Sequence, residues 1–170
     1  MKKLIAVTMA ALLALSAVAF AETYRSDDMT FEYDENAFEI TKDDRTDDET
    51  DVVVYGKSEA WGHTYVNFYL KDLEDGEKFP TADEVSNAND NATVTEGEWN
   101  GYKNVLMYDV EGDDGMTRSF FVVPVMDDDG NGVEDILTVQ IGTSKIDDEA
   151  VLMERDDAIS AIVDSLKVND

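Results

Sequence analysis

TVTEGEWNGYKNVLMYDVE, residues 93–111, decides the fold. Asn100-Gly101 stands at its centre, between a run ending at Trp99 and a run opening at Tyr102. That dipeptide tolerates the positive φ angles of a type I′ turn, whose twist matches two antiparallel strands. Strands over 93–99 and 102–111 are therefore expected to form a hairpin. Asp113-Asp114-Gly115 supplies the next turn, and 119–126 is apolar on both parities, as in a strand covered on both faces. Pro124 has no ladder donor, so this strand should fray or reach an edge there. After an Asp/Gly-rich loop over 127–135, Leu137, Val139 and Ile141 alternate to one side of another strand.

The same pattern extends towards the N-terminus. Thr64, Val66, Phe68 and Leu70 share one face of a strand over 64–71, while Tyr65, Asn67 and Tyr69 share the other. Residues 52–57 read as a β-branched strand, and 29–33 and 37–41 as two short strands around the turn Asp34-Glu35-Asn36. The stretch 43–51 is nearly all Asp, Glu, Thr and Arg, which predicts a solvated loop. A short helix follows Pro80, opened by the capping box of Thr81 and Glu84. The closing segment, 147–168, carries Ile159, Ile162, Val163 and Leu166 at i, i+3, i+4 and i+7, one apolar helical stripe. Arg155-Asp156-Asp157 would break it into two helices. Hairpin-linked strands interrupted by two helical segments give an α+β class: a mainly antiparallel sheet with helices packed on its faces.

Lys2 and Lys3 precede an apolar run, residues 4–20, closing on Ala19-Phe20-Ala21. This is the form of a secretory signal peptide over 1–21; the alternative, a membrane anchor, asks for a longer run. Residues 22–170 then make one domain, expected to be monomeric and secreted or periplasmic. The chain has no cysteine, which excludes disulfides, a thiol nucleophile, thiolate metal sites and lipoprotein acylation. The leader holds two lysines and no acid, so its removal takes the net charge from −27 to −29. Such a field repels nucleic acid and anionic membranes and favours cations or basic protein partners outside the cytoplasm.

Phe31-Glu32-Tyr33-Asp34 opens the domain before Phe38-Glu39-Ile40; Gly101-Tyr102 starts a strand leading into 119–125; and the last helix closes on Ile162-Val163-Asp164-Ser165-Leu166-Lys167. In this layout the chain resembles the PsbP-like α/β/α sandwich family. That family includes the extrinsic photosystem protein, a Ran-binding nuclear import factor and many secreted bacterial proteins. The resemblance implies a non-catalytic binding or assembly module. It carries over no functional residue set.

Three groups of residues have chemistry to weigh. In the loop 127–135, Asp127, Asp129 and Asn131 occupy positions one, three and five of a calcium loop; Gly132 gives the turn, Val133 the carbonyl and Asp135 position nine. Calcium is the cofactor this spacing suggests, yet Thr138 stands where a bidentate Glu belongs, and an Asp/Gly-rich hairpin loop is the preferred reading. Trp61, Trp99 and Tyr102 lie near strand ends beside glycines, as in a partner patch or as turn packing. His63 is the sole histidine; with Ser58 or Ser119 it would make a nucleophile–base pair, but no G-x-S-x-G elbow accompanies it. Carboxylate pairs such as Asp113/Asp114 or Glu96/Glu98 would suit a hydrolase only in a cleft. Asn91-Ala92-Thr93 is a glycosylation sequon.

Overall fold

The computed structural model describes residues 21–170 except 75, 128, 131 and 170. The leader reading, apart from Ala21, lies outside the described residues, as does Asn131. Strands β1 (Ala21–Arg25), β2 (Met29–Asp34), β3 (Phe38–Arg45), β4 (Glu49–Gly56) and β5 (Thr64–Asp72) precede helix α1 (Ala82–Ala88). Then come β6 (Thr95–Trp99), β7 (Tyr102–Glu111), β8 (Met116–Met126), β9 (Val133–Ser144), helix α2 (Glu149–Ser165) and β10 (Lys167–Val168). The architecture is mostly antiparallel β-sheet with two helices, one of them near the C-terminus.

Two sheets divide the strands. One has three strands in the order β1-β2-β10; the other has seven, ordered β3-β4-β5-β9-β8-β7-β6. All pairings are antiparallel. The turn after β2 therefore does not close a hairpin. Ala37 N donates to Asp34 O, and the chain leaves the small sheet for the edge of the large one.

The acidic stretch 43–51 also differs from expectation. It is not a free loop but the tip of the β3–β4 hairpin, with Asp43 opposite Val52 and Asp44 opposite Asp51. An edge hairpin needs no buried face when the ladder satisfies its backbone and its charges pair. Here Lys42 pairs with Asp51 and Arg45 with Asp43. Pro124 meets its expectation differently: β8 pairs with β9 as far as Met126, but with β7 only up to Val122. The proline thus lies where β8 has a neighbour on one side only.

The alternating residues sort to opposite faces of the large sheet. Val52, Val54, Val66, Phe68, Leu137, Val139, Val105 and Val123 form one buried cluster with Ile159, Ile162, Val163 and Leu166 of the α2 region and with Phe31 and Met29 of β2. Leu106 and Val122, each one residue out of phase, join Val85 of α1 in a second, smaller cluster. Helix α1 opens on its capping box: Thr81 Oγ1 accepts from Glu84 N, and Glu84 Oε2 accepts from Thr81 N at 2.8 Å. Helix α2 opens on Asp148, which accepts from Ala150 N and Val151 N. It runs unbroken past Arg155, whose buried guanidinium donates to Ser144 O at 2.7 Å and to Asp156. At its far end Ser165 Oγ accepts from Glu32 N, tying the helix to β2.

Candidate functional site

On the face of the large sheet away from the main cluster, side chains line up in rows across the strands. One row runs Val53, Asn67, Gln140, Phe120, Tyr108 over β4, β5, β9, β8 and β7. The next runs Tyr55, Tyr65, Gly142, Arg118, Val110 over the same strands. Tyr69 stands opposite Asp51 and Thr138. These side chains are half-exposed, whereas Leu106 and Val122 beside them are buried with α1. Tyr108, at the end of the first row, still packs against the α1 cluster, and Tyr55, Tyr65 and Tyr69 stand further along the sheet.

The rings are held in place. Tyr65 OH accepts from Gln140 Nε2 at 2.6 Å. Its ring lies across Gly142, where an added Cβ would meet Tyr65 Cε1 at 2.2 Å. Glycine here gives the ring room to lie flat on the backbone. Tyr69 OH donates to Glu49 at 2.7 Å, and that bond to a carboxylate raises the phenol to about 12. Tyr55 OH meets Nδ1 of the exposed His63. Tyr108 and Phe120 stack at 4.7 Å, 5° from parallel. The charges on this face pair locally: Lys42 with Asp44 and Asp51, and Arg118 with Asp114. The result is a surface of π-faces, amides and paired charges whose side chains are held by hydrogen bonds before anything binds.

The residues singled out from sequence do not converge. Trp61 is only 3% exposed and packs on Phe38 at 5.4 Å, so it is a core residue and leaves the proposed patch. Trp99 and Tyr102 are neighbours at the end of the β6–β7 hairpin, with Trp99 stacked on Phe121 at 4.6 Å. His63 is joined to Tyr55, and its amide donates to Ser144 Oγ; Ser58 precedes the 3-10 turn at Glu59–Trp61, its carbonyl accepting from Trp61 N, and Ser119 stands between Asp109 and Ile141 in the sheet.

The calcium-spaced residues divide in the same way. Asp127 and Asp129 belong to a turn closed by Asp127 N to Gly132 O and Gly130 N to Asp127 O. Val133 and Asp135 are already in β9, opposite Met126 and Val125. Asp135 is also directly opposite Asp72 on β5. Burial, then the charges of Asp72 and Glu134, push its carboxyl up to about 6, with a hydrogen bond to Asp72 and the charge of Asp28 acting in the same sense. Among the described residues, no group of three or more His, Asp or Glu side chains converges as a metal site.

Two features went unread in the sequence. The alternation of Tyr65, Asn67 and Tyr69 was visible, but not that their face lies beyond α1. The second is a cavity of about 490 Å³ at the β7 edge, lined by Thr93, Thr95, Met107, Asp109, Ser119 and Phe121 with the Tyr108–Phe120 pair beside it. It exists because β6 is half the length of β7, which no local signal announces. No helix among the described residues is long and apolar enough to cross a membrane. No family model, no curated protein and no solved structure matches this chain.

Proposed function

We propose that this chain is an exported, non-catalytic binding or assembly module built as an α/β/α sandwich of the PsbP-like kind. Its binding face would be the tyrosine rows of the large sheet. The leader-like residues 1–21 support export. The two apolar clusters on opposite sides of the large sheet support the sandwich.

One observation carries the binding reading: Tyr55, Tyr65 and Tyr69 are half-exposed, yet each hydroxyl is tied to a different partner, His63, Gln140 and Glu49. Ordering three aromatic side chains costs conformational entropy, and all three stay partly open to water. An incoming ligand would gain from that ordering, because its site needs no further arrangement.

Gly142→Ala is the test. The new methyl would meet the distal end of the Tyr65 side chain, which can swing aside, so the change should lift the ring off the sheet. Wild type and variant are compared on printed glycan and peptide arrays, with thermal melts alongside. A ligand retained by wild type and lost by Gly142→Ala, with melting changed by only a few degrees, supports the reading. Ligands held equally by both, or none held by wild type, defeat it.

A further inference from the structure

We infer that the open edge of β7 takes an extended basic peptide as an added strand. This rests on the reading of the chain as a binding module, but it uses a different part of the molecule from the tyrosine rows. β6 stops pairing at Thr95 opposite Met107, whereas β7 continues to Glu111. Thr95 Oγ1 donates to Met107 O, so that carbonyl faces the β6 side. Strand alternation turns the main-chain groups of Asp109 and Glu111 the same way. Gly112 N, of the other parity, donates to Met116 on the β8 side. β6 therefore leaves the Asp109 and Glu111 donors and acceptors without a ladder partner, beside the cavity of about 490 Å³.

The edge also specifies what would pair with it. Asp109 and Glu111 are exposed on the same side of β7 as Met107 and the cavity; Tyr108 and Val110 point to the other side. A strand laid antiparallel here presents alternate side chains to the two faces. Positions opposite Asp109 and Glu111 call for cations, and those opposite Tyr108 and Val110 call for aliphatic groups. The pattern is alternating lysine and valine. A second copy of this chain would bring its own acids to the same edge and a net charge of −27, so like charge excludes self-pairing. The acids that guard the edge against its own kind thereby select a basic partner.

The probe is a fluorescein-labelled KVKVKVK peptide, compared with the same peptide N-methylated on the main-chain nitrogens of its two inner lysines, which stand opposite Asp109 and Glu111, and with EVEVEVE. Binding to residues 22–170 is read by anisotropy and by amide hydrogen exchange. KVKVKVK should bind saturably and slow exchange at Asp109 and Glu111 at least about tenfold. N-methylation should weaken binding about tenfold through lost ladder bonds, and EVEVEVE should not bind. Asp109→Pro removes one edge donor, leaves the β8 ladder intact, and should weaken KVKVKVK similarly; the N-methyl peptide makes the same test without altering the protein. Equal binding of the N-methylated and parent peptides would reduce the effect to charge alone and overturn the proposal. Protection appearing on the tyrosine rows, or no binding at all, would overturn it too. In those cases a Gly142→Ala-sensitive array ligand would still leave the tyrosine face standing.

Discussion

Replacing Asp135 by Asn should stabilise the protein at neutral pH and leave it unchanged in acid. Asp135 is opposite Asp72 on neighbouring strands, and Asp28 lies close enough to act on it. In the unfolded chain its carboxyl titrates near 3.8; burial and the neighbouring carboxylates push it to about 6 in the fold. A raised folded value means that the native state holds the proton more tightly. The stability this supplies is complete below 3.8 and is lost as pH rises through about 6. A displacement of about two pH units sets a ceiling of about 3 kcal/mol. The carboxyl is half-exposed and screened by water, which lowers the expected effect to about 1 kcal/mol. Asn has the neutral shape of the protonated acid and can still donate to Asp72. Urea and thermal melts of both proteins at pH 4, 5, 6 and 7 should therefore coincide at the acid end. They should separate in favour of Asp135→Asn above pH 6, by about 3 °C. A difference that stays constant with pH, or a variant less stable at pH 7, would refute the assigned cause. The same melts in millimolar calcium and magnesium test the loop spacing. With Asp135 facing Asp72, both ions should raise the two proteins' melting points alike through screening; a calcium-specific rise lost in Asp135→Asn would make it a ligand.

Further outcomes follow from individual contacts. Ile162→Ala, at a side chain only 1% exposed in the main cluster, should cost about 2–4 kcal/mol in urea unfolding. Thr81→Ala removes the reciprocal cap of α1 and should cost about 1 kcal/mol, read as faster amide exchange in that helix. The protein recovered from outside the producing cell should begin at Glu22 by N-terminal sequencing; an intact Met1 would end the export proposal.

What could be read from the sequence was whatever depends on near neighbours. Asn100 and Gly101 adopt φ of 48° and 85° because a type I′ turn is a property of those two residues. Thr81 and Glu84 cap α1 from within four residues. Thr64, Val66, Phe68 and Leu70 are buried because β5 is central and one of its faces meets the main cluster. Errors arose where a distant partner decides. The acidic 43–51 stretch pairs as an edge hairpin because β4 carries Val52 and Val54 into the core and brings β3 with it. Arg155 does not break α2, because the Ser144 carbonyl from β9 receives its guanidinium. Trp61 sits beside a glycine like a surface residue, yet Phe38, far away in sequence, covers it. The candidate face failed to show for the same reason: Tyr65 and Leu106 both point away from the main cluster, yet Leu106 is buried in the cluster with α1 and Tyr65 is half-exposed.

The distribution of charge makes the two faces of the large sheet unequal in a way that composition hides. A chain with 40 acids has to put them nearly everywhere, and most go to hairpin tips and strand edges where water screens them. The central residues of the tyrosine rows, Asn67, Gln140, Phe120, Tyr65 and Gly142, include no carboxylate, although they lie on strands whose ends do. Solubility alone would have been served by acids at those half-exposed positions. Tyr and Phe at these positions give solubility away for rigid aromatic surface. At the main cluster the reverse holds: Asp135 and Asp72 intrude at its margin, and the fold bears the cost as a carboxyl that ionises late. Substituting Gln140 by Glu should therefore leave melting nearly unchanged, because the half-exposed carboxylate can accept from Tyr65 OH, while abolishing retention of any ligand seated on the rows. If retention survives such a charge, the rows are only a solvent face and the binding site lies elsewhere.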